Sequence, residues 1–74
     1  MTREEFKAAL IRTYSKRPYY FRHDAECQQI RGEKAISMAN SDRKHGLKPF
    51  YIGRLAAYPT QQLIDYACSR FSNV

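Results

Sequence analysis

The chain has 74 residues, thirteen Lys and Arg against seven Asp and Glu, and a formal net charge of +6. A chain this short is expected to form one small domain over residues 1–74, burying only about 60% of its unfolded surface around a thin core. Leu, Ile, Val and Phe total fourteen, close to a disordered composition, but six Tyr favour folding because each ring buries a large area behind a polar tip.

Several function classes fall away early. No stretch approaches the ~20 apolar residues of a membrane span, so a membrane partner is not expected. The opening Met-Thr-Arg-Glu-Glu-Phe-Lys places charge where a secretory leader needs an apolar run. Cys27 and Cys68 are therefore expected as free thiols in a reducing, cytoplasmic setting. Zinc would need four ligands, and Cys27, Cys68, His23 and His45 include no Cys-x-x-Cys nucleus. No nucleophile stands in a convincing relation to a base, and the three glycines are isolated rather than gathered in a phosphate loop. Neither an enzyme, a metal nor a cofactor is expected.

Thr2-Arg3-Glu4-Glu5 is a capping box, with a hydroxyl at the N-cap and a carboxylate three residues on. Phe6, Ala9, Leu10 and Tyr14 follow at the spacing of one helical face. Pro18 disfavours helical geometry at Arg17, so this helix should stop near Ser15. Pro18-Tyr19-Tyr20-Phe21 reads as extended or turning chain.

Asp24 can cap a second helix running to His45, where Arg43, Lys44 and His45 complement the dipole, Gly46 caps and Pro49 forbids continuation. Phe21, Ala25, Ala35, Ile36 and Ala39 project to one side of it; Cys27, Ile30 and Met38 project to the other. Apolar residues on both faces suggest a helix packed between neighbours or a dimer contact. Gly32 marks either a close approach or a break.

Pro49 suits the first position of a short helix carrying Phe50, Ile52, Leu55 and Ala56. After Pro59-Thr60, the residues Leu63, Ile64, Ala67 and Phe71 form the arc of a last helix. The expected fold is all-α: three main helices and a short fourth. The competing arrangement is α+β, with short strands near 19–22 and 50–52.

Two stretches, Arg12 to His23 and Arg43 to Arg54, hold eight of the thirteen cations and no acid. Arg12, Lys16, Arg17, Arg22, Arg43, Lys44, Lys48 and Arg54 suit phosphates, while Tyr19, Tyr20 and Tyr51 offer stacking faces. The expected function is nucleic-acid binding, DNA or RNA, with both stretches converging on one surface. Phe21 and Phe50, having no polar tip, are expected in the core. A helix-turn-helix centred on Ser41–Lys48 fits poorly, since that connection exceeds three or four residues. The alternative function is a protein-binding accessory factor, an inhibitor or adaptor, docking through Ile30 and Met38; a homodimer through the middle helix is also open.

Overall fold

The computed structural model describes residues 1–71. Its elements run α1 (Arg3–Tyr14), β1 (Tyr19–Phe21), α2 (Ala25–Arg31), α3 (Ala35–His45), β2 (Phe50–Ile52), β3 (Leu55–Pro59) and α4 (Thr60–Arg70). This is an α+β fold, which corrects the all-α expectation and agrees with the competing arrangement.

The first helix forms as its sequence dictates. The Glu5 amide donates to Thr2 Oγ1 at 3.1 Å, and the Thr2 amide donates to Glu5 Oε1 at 2.9 Å. Phe6, Leu10 and Tyr14 lie against the core from outside, so α1 covers the interior without burying any residue fully.

The long middle helix is two helices. Gly32 takes φ +65° as the C-cap of α2, and its amide donates to the Gln28 carbonyl at 2.8 Å. A Cβ there would meet nothing within 4 Å, so the left-handed backbone, and not close packing, is what calls for glycine. Only Gly32, Glu33 and Lys34 separate α2 from α3, a connection of three residues.

The expected short helix at Pro49–Ala56 is instead a hairpin. Strand β3 lies between β1 and β2, antiparallel to both, with Phe21 and Phe50 flanking Ala57 and Ile52 opposite Leu55. Gly53 and Arg54 form its two-residue loop, and φ +63° at Gly53 matches the positive torsion such tight turns need.

One sheet face is roofed by helices. Tyr20, Tyr58, Cys27, Ile30, Met38, Leu63, Ile64, Ala67 and Cys68 make the core. Ile30 and Met38 are both buried, which removes them as a docking face. The other sheet face stays open: Phe50, Ile52 and Leu55 are 40–45% exposed, and Tyr19 stacks edge-on with Phe21 and Phe50 at 5.5 Å. Phe50 and Phe21 are thus outer-face residues, not core.

A charged network ties the layers together. Asp42 Oδ1 accepts from Arg31 Nη1 at 2.6 Å, while Asp42 Oδ2 accepts from Tyr58 Oη at 2.5 Å and Arg22 Nη2 at 3.2 Å. Arg31 also donates to Glu33 at 3.1 Å, and its guanidinium lies 5.1 Å from the ring centres of both Tyr58 and Tyr66. Glu33 Oε1 in turn accepts from Ser41 and Tyr66. The inter-helix turn is thereby fixed to α3 and α4.

Burial, reinforced by the bond to Asp42, pushes the Tyr58 phenol up to about 12, and burial pushes the Cys27 thiol up to about 11. Both groups keep their protons longer in the folded than in the unfolded state, whose values lie near 10 and 9. Their contribution to stability is complete below pH 9 and drains away as pH rises through 11 and 12. Urea midpoints should accordingly decline above about pH 9; a midpoint level up to about pH 11 would contradict these environments.

Candidate nucleic-acid interface

The break at Gly32 decides which way α3 faces. Met38 and Asp42 point inward, and the opposite side shows Ile36, Ser37, Asn40, Arg43 and Lys44 to solvent. Ile36, Asn40 and Arg43 follow i, i+4, i+7 spacing and so form one line along the helix. Arg43 Nη2 donates to Asn40 Oδ1, which orients that amide. No acid occupies the first turn of α3, and Lys34 stands at its N-cap; the neighbouring Glu33 carboxylate is turned into the network with Arg31, Ser41 and Tyr66.

The hairpin stands beside this helix. A groove of about 300 Å³ between them is lined by Arg22, Ala39, Asp42, Arg43, Leu47, Pro49 and Tyr51, with the Asp42 carboxylate already engaged by Arg31, Tyr58 and Arg22. Lys48, between Leu47 and Pro49 in the chain, does not line the groove, and Arg54 stands in the turn of the hairpin whose Tyr51 forms the far wall. Tyr51 is 62% exposed and is the one proposed stacking ring of the three with an open face. Lys34, Arg43, Lys44, Lys48 and Arg54 are exposed and form no ion pair among the described residues.

The two basic stretches do not converge as one surface. From the second stretch, Arg43 and Tyr51 line the groove, Lys44 follows Arg43 on α3, Arg54 tips the hairpin, and Lys48 lies toward the Pro59 end of the sheet, where its carbonyl accepts from Gln62 Nε2 at 3.4 Å. From the first, only Arg22 reaches it, and its guanidinium is held by Tyr58 and Asp42. Tyr20 is buried, donating to the Tyr14 carbonyl at 2.7 Å, and is no stacking platform. Tyr19 is half-buried on the outer sheet face, away from the groove.

Arg12, Lys16 and Arg17 flank the entry to β1, whose first residue pairs with Pro59 at the end of β3 away from the hairpin loop. Pro59 lies four positions along β3 from Leu55, roughly 13 Å at the rise of a strand. Arg17 is also engaged by Asp24 at 3.5 Å. Sequence reasoning missed Lys34, Ile36, Ser37 and Asn40; taking Gly32 as a helix end would have exposed them.

Among the described residues there is no group of three or more His, Cys, Asp and Glu able to hold a metal ion, and no helix long and apolar enough to cross a membrane. No protein-family model, no curated protein and no solved structure matches this chain.

Proposed function

We propose that this chain is a nucleic-acid-binding module that grips duplex DNA through α3 and the β2–β3 hairpin. The observation that carries the reading is the three-residue turn between α2 and α3, which leaves α3 with a polar, acid-free outer face beside a cationic hairpin. A helix presented in this way enters the major groove with its first residues toward the bases. Lys34, Arg43, Lys44 and Arg54 are spaced along that face and its flank to meet phosphates, and Tyr51 gives aromatic support within the groove. RNA duplexes fit less well, since their deep, narrow major groove does not admit a helix.

The test is fluorescence anisotropy with matched single- and double-stranded DNA across a salt series. Four phosphate-facing cations predict a log–log slope of roughly −3 to −4, with the duplex preferred. A slope near zero, or no binding to duplex, removes the reading.

One observation favours the protein-binding alternative, now moved from Ile30 and Met38 to the outer sheet face. Phe50, Ile52 and Leu55 are exposed there together, and apolar surface of this kind marks contact sites. A protein that co-purifies through nuclease treatment and moderate salt would favour it over DNA.

A further inference from the structure

Ile36 is 89% exposed, the most exposed of the large apolar side chains after which even Met1, at 72%, falls short. It is the second residue of α3 and touches no part of the core cluster. Nothing in the fold requires an isoleucine at this point. Four residues on, Asn40 shares its line on the helix, and Arg43 fixes which way the Asn40 amide faces.

We infer that α3 reads base identity through Ile36 and Asn40, selecting a duplex site in which a thymine methyl lies next to an adenine. Each base pair shows its own pattern in the major groove. The thymine C5 methyl is the one apolar feature there, and it suits a branched aliphatic side chain. Adenine offers an N7 acceptor beside an N6 donor, the pattern that an asparagine amide matches with two bonds. Asn40 Oδ1 has a second lone pair left after accepting from Arg43, so it can take the N6 proton while Nδ2 donates to N7. The Arg43 bond holds the amide in one orientation before binding, which lowers the ordering cost. Ile36 stands one helical turn nearer the start of α3, where groove-reading helices approach base edges.

This inference rests on the duplex reading above, and its test separates the two. Selection from a random duplex library should return sites containing adjacent adenine and thymine. Replacing that thymine by deoxyuridine removes only the methyl and should weaken wild-type binding about fourfold, the value of one methyl-sized apolar contact. The Ile36→Ala variant, altered at an exposed position, should bind both duplexes equally. Asn40→Ala should bind the selected duplex roughly 5- to 150-fold more weakly and accept other bases at the adenine position. Salt-dependent binding without base preference would leave the duplex reading standing and overturn this one. So would an equal deoxyuridine penalty in wild type and Ile36→Ala. Failure to bind any duplex would overturn both.

Discussion

Replacing Asp42 by Ala should cost about 3–5 kcal/mol of folding stability, a large share of the total. A domain of this size holds roughly 4–11 kcal/mol of stability at typical per-residue values. Asp42 is 5% exposed and accepts from Arg31, Tyr58 and Arg22, so its loss strands a guanidinium whose side chain is 0% exposed. Removing one member of a buried pair costs about 3–5 kcal/mol, and Arg31 would keep only Glu33, at 3.1 Å, as a counterion.

Glu33 offsets the loss only in part: its Oε2 keeps Arg31 Nη2, its Oε1 is taken by Ser41, Tyr66 and Arg70, and Arg31 Nη1 loses its partner. Replacing Arg31 and Asp42 together by Met and Leu should recover much of the loss, as apolar pairs of similar volume often match buried ion pairs. Urea denaturation of the three proteins is the measurement. A cost below about 1 kcal/mol for Asp42→Ala would mean the network is not buried as described.

That network also marks where sequence reasoning stops. The cap of α1, its end near Ser15 and the arc of α4 were legible because each depends on residues within a turn or two. Arg22, Tyr20 and Asp42 were not, because Arg22 meets Tyr58 across 36 positions and Tyr58 meets Asp42 across 16. Nothing local distinguishes an arginine that binds phosphate from one that binds a distant carboxylate.

The sheet was half legible. Tyr19–Phe21 and Phe50–Ile52 have the aromatic and β-branched character of strands, and they become the two edge strands flanking β3. Strand β3 gave no such sign. Ala56 and Ala57 favour helix intrinsically, and pairing on both edges overrides that preference.

Gly32 had the greatest consequence. Read as a flaw within one long helix, it put Ile36 in an apolar stripe and Ile30 and Met38 on a free face. Read as a left-handed cap, it turns α3 so that Met38 enters the core and Ile36 faces solvent. The cations of 43–54 were visible from composition alone; the helix face that accompanies them was not.

The outer side of α3 and the hairpin, rather than the corner before β1, should hold the phosphate contacts. Two variants compared in one salt series with a DNA duplex test this. Replacing Arg43, Lys44 and Arg54 by Ala should flatten the log–log slope by about 2 to 3 units and reduce affinity on the order of several hundredfold near 0.1 M salt. Replacing Arg12 and Lys16, which are exposed and unpaired among the described residues, should change the slope by less than about one unit. The opposite pattern, with the Arg12 and Lys16 variant losing the steeper share, would place the DNA on the wrong end of the sheet and contradict the proposal.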